Sequence, residues 1–541
     1  VRTEIELDAK QRKILYQTEL FEVASIEWTD KNVATLHNHG WSQCHVLIES
    51  GSFENSLDLG FKKEIQQLEK GQTFSTPLGS WHKLRCLSAQ GRTLHVYAPK
   101  ISERNEASIF KTSALEAIGG DLRLDTPTNF EELKKILENI RKHSISTDSP
   151  YFMNQLFSGV LPQMLLAEDV ISQTKTTMAT FEASPALSVI EAEVIESLGA
   201  IIGWPKDMRD GVCVPGGSAA NFMAIHCARQ KLLPEIKKNG MNEVKLKIFA
   251  SEEAHYSLKK ACATLGLGTD ALIAVPADDH GRMKVETLES LVIASINKGE
   301  VPVLVCATAG TTVLGAFDPI DTIAQICKTH GLWLHVDGAW GGPALFSDQA
   351  RNLVQGIELA DSVTFDAHKL FGANLTCSFF LTKHAGLLLE ANDVSGAEYL
   401  FHSDDATIDR GRLSWQCGRK ADALSFWAIW KSLGTSGLGE VVDQLIAIRD
   451  ETLDWIKTQP RLALVSIPDF LNVCIRILPP QEKSNSHDWS RKVREVLREN
   501  NFAFVNFSSD ESGSFLRLIL AHPYLQFKHV KQILKWSLEV E

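Results

Sequence analysis

The chain lacks several things, and each absence removes a class of function. No basic tract occurs in its 541 residues, and the formal net charge is −12. Holding a phosphate backbone takes clustered lysine and arginine, so nucleic acid is not an expected partner. No apolar run is long enough to span a bilayer. The opening stretch VRTEIELDAKQRK is charged and has no apolar secretion core, so neither export nor membrane association is expected. The 10 cysteines are scattered, with no C-x-x-C pair and no dense framework, which predicts reduced thiols in a cytoplasmic enzyme. Internal repeats and low-complexity tracts are also missing. What remains is 44% hydrophobic and 23% charged, ordinary for a globular protein and too long for one core.

The character of the sequence changes along its length. Residues 1–103 carry short alternating segments such as LFEVASIEW, CHVLIESGSFEN and TLHVYAP, broken by Gly, Ser and Asn. That period of two predicts a small β-barrel or sandwich. Residues 104–145 read as a linker region containing the polar amphipathic helix NFEELKKILENIRKHS. Over residues 146–420, helices alternate with apolar strands such as VPVLVCAT, LWLHVD and SVTFDAHK, the pattern of a mostly parallel sheet covered by helices. Residues 421–541 mix both elements and predict a smaller α+β domain.

The candidate chemistry of the large domain sits at strand ends. SVTFDAHK ends in His368 and Lys369, and a lysine there is either a solvated loop residue or a nucleophilic amine. LWLHVD ends in Asp337, where open α/β sheets bind ligands. This carboxylate is either a helix cap or the partner of a pyridine nitrogen. VCVPGGSAAN places Gly216, Gly217 and Ser218 just before a helix, suited to a phosphate approaching backbone N–H groups. His255, in EEAHYSLKKA, has a ring able to stack on a planar group.

Together these stretches resemble the group II pyridoxal-phosphate-dependent amino-acid decarboxylases, the family of glutamate and cysteine sulfinate decarboxylases. The likeness runs from about Tyr151 to the C-terminus and includes MNQLFSG, PGGSAAN, HYSLKKA, LGLGTD, TAGTTVLGAFDPI, GLWLHVDGAWGG, WQCGRKAD and SFLRLIL. It implies a fold-type I α/β enzyme with a small C-terminal domain, working as a homodimer on a small amino acid. It further implies that Lys369 forms the Schiff base with the cofactor, Asp337 pairs with the pyridinium nitrogen, and His255 stacks on the ring. Gly217 and Ser218 would hold the phosphate, with Thr308, Ala339 and His368 around the cofactor. Gln155 and Arg517 match the family's substrate-contacting positions, and an arginine fork suits a carboxylate. Two departures stand out. Ala179, in TTMATFEASP, occupies a position that is aromatic in the glutamate and sulfinate branch, so the pocket is expected to be wider. The mobile loop after Tyr399 is short and brings no tyrosine to protonate the product, so either His255 or His402 is the acid or the reaction partitions toward an oxidative side path.

The N-terminal segment HNHGWSQC sets His37 and His39 two residues apart, on one face of a strand. On its own that is a polar edge strand or a pair of metal ligands. Arg12–Pro99 resembles the cupin barrel of the thiol dioxygenases, cysteine dioxygenase in particular. The resemblance implies Fe(II) on His37, His39 and His82, the last from LGSWHKLRC. LHVYAP places His95 and Tyr97 by that metal, with Thr93 where the family has serine. Cys44 matches the cysteine that cross-links to the tyrosine, and Arg12 is a candidate for the substrate carboxylate, with Lys10 where a tyrosine is common. The two resemblances together imply a bifunctional enzyme that oxidises L-cysteine to cysteine sulfinate and decarboxylates it to hypotaurine. The alternative is a decarboxylase of an acidic amino acid carrying a cupin as a binding or regulatory module.

Overall fold

The computed structural model describes residues 12–17, 22–29, 37–38, 43–59, 63–76, 80–98, 124–125, 127–241, 243–394, 396–402, 408–480 and 487–540. The chain divides into two compact units. One comprises Val1–Phe152, Gly159–Leu165 and Glu495–Phe504, and the other Met153–Ser158, Leu166–Arg494 and Val505–Glu541. Among the described residues, no helix is long and apolar enough to cross a membrane.

The first unit is built on short strands. β1 (Arg12–Gln17), β2 (Glu22–Thr29), β3 (His37–Asn38), β4 (Gln43–Ser50), β5 (Phe53–Asp58), β6 (Lys63–Leu68), β7 (Thr73–Thr76), β8 (Trp81–Cys86) and β9 (Gln90–Ala98) form two sheets. Their orders are β1-β2-β9-β4-β7 and β3-β8-β5-β6. Among the described residues no ladder joins the sheets, so the hydrogen bonding is that of a sandwich and not of a closed barrel. Alternation drives the packing: every second residue of β2 is buried, and Ile26, Trp28, Val46 and Ile48 share a core with Phe53, Leu68 and Leu84 of the other sheet. The expected polar helix spans Phe130–Lys142, starts at an Asn129 cap and buries none of its side chains.

The second unit is organised by a sheet ordered β11-β17-β16-β15-β14-β12-β13. Its strands are β11 (Asp210–Pro215), β12 (Leu246–Ser251), β13 (Leu272–Val275), β14 (Val301–Thr308), β15 (Trp333–Gly338), β16 (Ser362–Asp366) and β17 (Cys377–Thr382). β13, β12, β14, β15 and β16 pair in parallel, and β17 runs against both its neighbours. β15, β16 and β17 are buried along their whole length. This is why they read as continuous apolar runs: helices cover both faces of such a sheet.

The helix Gly217–Leu232 follows β11 directly and lays Ala220, Met223, Ala224 and Cys227 into the core. Beyond the sheet, the helical stretch Ala423–Lys457, interrupted at Gly434 with φ 71°, leads into β18 (Leu462–Leu464), β19 (Asn472–Ile477), β20 (Phe504–Asp510) and β21 (Gly513–Ile519). β18, β19, β21 and β20 pair in that order, all antiparallel. A two-residue strand, β10 (Phe152–Met153), precedes the large sheet.

His226 fixes the helix Gly217–Leu232 against the chain after β17. Its Nδ1 accepts from Arg229, and its Nε2 lies 3.3 Å from the Ala391 carbonyl. Burial, helped by the Arg229 charge, pushes its pKa down from 6.5 to about 4. The unfolded chain takes up a proton that the folded chain refuses, so this stability is present in full above about pH 6.5 and lost as pH falls toward 4. His226→Gln should therefore flatten the fall in unfolding free energy, read from urea titrations, between about pH 7 and about pH 5, by on the order of 1 to 3 kcal/mol. An unchanged slope contradicts the assignment.

Candidate active site

The parallel strands end at a common edge, and the candidate residues gather there. Thr308, the last residue of β14, faces Asp337 in β15, and Asp337 faces Thr364 in β16. β16 ends at Asp366, and the following turn carries His368 and Lys369. β11 ends at Pro215, and Gly217 begins the next helix. His255 follows β12. Ligands of open α/β sheets bind at this carboxyl edge.

Lys369 Nζ lies 3.3 Å from Asp366 Oδ2, and His368 Nε2 3.8 Å from the same oxygen. Asp337 accepts from Asn221 Nδ2 at 2.7 Å and from the Ala339 amide at 3.2 Å. His255 is half-buried, and burial, with Lys369 adding to it against the pull of Asp337, lowers its pKa below the usual histidine range. A neutral ring is thereby favoured. Gly216 sits at φ 97° and no side chain caps the helix it opens, so the first amides face outward. A Cβ on Gly217 would come within 2.7 Å of Asp366 Oδ2, so only glycine fits there. Ser218 is exposed beside it.

These residues fit pyridoxal phosphate. A primary amine for its aldehyde, a buried carboxylate for its ring nitrogen and a helix N-terminus for its phosphate lie at one edge. Two buried polar atoms here have no hydrogen-bond partner among the described residues, Thr308 Oγ1 and Asp366 Oδ1.

The pyridoxal-dependent decarboxylase conserved domain matches residues 120–478. The chain belongs to the pyridoxal-dependent decarboxylases. Cysteine sulfinic acid decarboxylase of Mus musculus is 39% identical over 421 residues, 75% of this chain and 85% of that protein. An acidic amino acid decarboxylase of Mus musculus is 40% identical over 378 residues, 69% of this chain and 68% of that protein. The crystal structure of mouse CSAD in apo form superposes with a TM-score of 0.73 at 37% identity, covering 78% of this chain and 90% of that one. The protein is therefore an amino-acid decarboxylase of the fold-type I class, and its cofactor is pyridoxal phosphate.

The residues expected on the substrate side of this decarboxylase lie as follows. Arg517, in β21, is buried and donates to the carbonyls of Thr312 at 2.7 Å and Asn154 at 3.1 Å, while its Nε has no partner. Gln155 is exposed; its neighbour Asn154 is the buried residue, with Oδ1 unpartnered. Ala179 is buried, and its carbonyl accepts from Gly411 at 2.8 Å. His402 is exposed and 3.3 Å from Glu182; Tyr399 is 80% exposed. Residues 403–407 of the loop lie outside the described residues.

In the first unit, Cys44 faces Tyr97 across β4 and β9. Cys44 Sγ lies 3.6 Å from His95 Nδ1, and the Tyr97 hydroxyl 3.1 Å from the same nitrogen. Thr93 Oγ1 lies 2.8 Å from His95 Nε2 and accepts from Trp28 Nε1 at 2.7 Å. Burial pushes the Cys44 thiol up to about 12. His37 faces His82 across β3 and β8. His82 is buried, with Nδ1 3.2 Å from Asn55 Oδ1. The side chains of His37 and Arg12, and the whole of Lys10 and His39, lie outside the described residues. Among the described residues no three His, Cys, Asp or Glu form a metal-holding group.

Sequence reasoning missed a buried ion pair that anchors the segment bearing Ala179. Arg419 Nη1 donates to both Glu191 oxygens at 3.2 Å and to the Cys213 carbonyl at 2.9 Å, while Nη2 donates to Met178. The Met178 amide returns a bond to the Arg419 carbonyl at 2.9 Å. Arg419 thus holds the chain that carries Ala179. Both ions are buried, 3% and 0% exposed, so removing one strands the other. Arg419→Met should cost about 3 to 5 kcal/mol in urea unfolding; a loss under about 1 kcal/mol would show the pair to be dispensable.

Proposed function

We propose that the chain decarboxylates a short acidic amino acid, cysteine sulfinate above all, and that its N-terminal unit makes this substrate by oxygenating L-cysteine. The first half rests on the Lys369, Asp337 and His255 cluster together with the likeness to a cysteine sulfinic acid decarboxylase. Bound pyridoxal phosphate supplies an electron sink for the bond that releases carbon dioxide. The protein's own part is positional. Lys369 provides the amine, Asp337 keeps the ring nitrogen protonated, and the Gly217 amide and Thr308 Oγ1 take the remaining polar contacts. Arg517 keeps an unpartnered N–H, suited to an anionic substrate group. His255, within electrostatic reach of both Lys369 and Asp337, packs its neutral ring against the cofactor. Ala179 leaves room for acids other than cysteine sulfinate, aspartate and cysteate among them.

The second half rests on two cross-strand pairs. Cys44 opposite Tyr97 is the geometry a thioether needs, and His37 opposite His82 brings two proposed ligands to adjacent strands. The His82–Asn55 contact, with Nδ1–H donating to the amide oxygen, puts the lone pair of a neutral ring on Nε2, the form that binds metals. Iron(II) on His37, His39 and His82 supplies a meeting point for thiol and oxygen, the unit being a cupin in this reading. The free state of all 10 cysteines suits a cytoplasmic location, and a homodimer completes the proposal. A narrower reading, a decarboxylase with a non-catalytic N-terminal module, draws on the likeness to an acidic amino acid decarboxylase and on Ala179.

The test feeds L-cysteine aerobically to the full chain loaded with iron(II) and pyridoxal phosphate, and identifies products by mass spectrometry. Hypotaurine is expected. His82→Ala should end cysteine-dependent oxygen uptake and spare decarboxylation of added cysteine sulfinate. No oxygen uptake by the iron-loaded wild type would remove the dioxygenase half, and no amine from any acidic amino acid would remove both.

A further inference from the structure

Behind Asp337 lies a line of buried, hydrogen-bonded side chains. Asn221 Nδ2 donates to Asp337 Oδ2 at 2.7 Å and to Ser257 Oγ at 2.9 Å. Its Oδ1 accepts from Thr364 Oγ1 at 2.8 Å and lies 3.0 Å from His335 Nε2. His335 Nδ1 lies 2.8 Å from Ser362 Oγ, which accepts from Trp333 Nε1 at 2.8 Å. Asn221, His335, Ser362 and Thr364 are 1% exposed or less.

The proton positions follow from elementary chemistry. An amide oxygen only accepts, so His335 Nε2 carries the hydrogen directed at Asn221. A neutral imidazole then has its lone pair on Nδ1, and burial keeps His335 neutral by pushing its pKa down to about 4. Ser362 must donate to that lone pair, and its oxygen receives the Trp333 N–H. Every donor in the line points the same way: Trp333 to Ser362, Ser362 to His335, His335 to Asn221, Asn221 to Asp337. Hydrogen bonds aligned in one direction polarise one another in a dry interior.

We propose that His335 and Asn221 are positioning residues that act through Asp337 on the ring nitrogen of the cofactor. The line ends on one carboxylate oxygen while the Ala339 amide holds the other. The carboxylate plane is thus fixed, and N–H donors on it reduce its demand for a proton. The proton shared with the pyridine stays on the ring, where electron withdrawal needs it. Nothing along the line is replaceable by water, because its members are sealed inside the sheet and the helix Gly217–Leu232. The inference rests on the cofactor reading of Asp337 and adds the elements that set its strength.

The test measures equilibrium binding of two probes to the cofactor-free full chain: pyridoxal phosphate, and its 1-deaza analogue, in which carbon replaces the ring nitrogen. His335→Phe should weaken pyridoxal phosphate about tenfold and leave the analogue within about twofold of its wild-type affinity. His335→Gln, which keeps a donor for Asn221, should restore most of the loss. If His335→Phe fails to fold, Ser362→Ala cuts the line one bond earlier and should show the same selectivity for the nitrogen-bearing ring. Equal weakening of both probes, or of neither, overturns the proposal. Failure of the wild type to bind pyridoxal phosphate would overturn the cofactor reading beneath it, an outcome separable from the first.

Discussion

Thr308 stands opposite Asp337, and Asp337 opposite Thr364, because β14, β15 and β16 run parallel and in register. Every later feature of the decarboxylase site depends on that alignment. Parallel strands end at the same edge, so the loops that follow them meet there. A slip of one residue would turn Asp337 to the opposite face of the sheet. The alternation of helix and strand is therefore also the means of placing an amine, a carboxylate and a set of free amides within one small volume.

Burial sets what those groups do. His255 and His335 are both held toward the neutral form by loss of solvent. In the proposed site the first has a stacking role, and the second has a place in a chain of donors behind Asp337. Glu191 and Arg419, buried against each other, tie the segment bearing Ala179 to the end of the short loop. That segment is thus held by a charge pair buried away from solvent.

Much of this was legible in the sequence, and the rest was not for identifiable reasons. Lys369, Asp337 and the glycines before the helix Gly217–Leu232 stand at strand ends and in short motifs, so local pattern exposes them. His335 lies inside the apolar run WLHVDG, where a histidine reads as core. Its partner Asn221 is 114 residues away, and no local signal joins the two. Asn154 and Gln155 are neighbours in the chain, and only packing decides that Asn154 turns inward. The alternating N-terminal segments were legible as short strands. The pairing of His37 with His82 depends on the register of β3 against β8, which period alone does not specify. The described ladders form two separate sheets, so the barrel closure expected of a cupin stays part of the functional proposal.

The central claim is that the carboxyl edge of the large sheet holds pyridoxal phosphate through Lys369. Borohydride reduction of the cofactor-loaded chain, followed by proteolysis and mass spectrometry of the peptides, tests it most directly. A pyridoxyl group is expected on the peptide carrying Lys369 and on no other lysine. A pyridoxyl group on a different lysine, with Lys369 unmodified, would contradict the placement of the site.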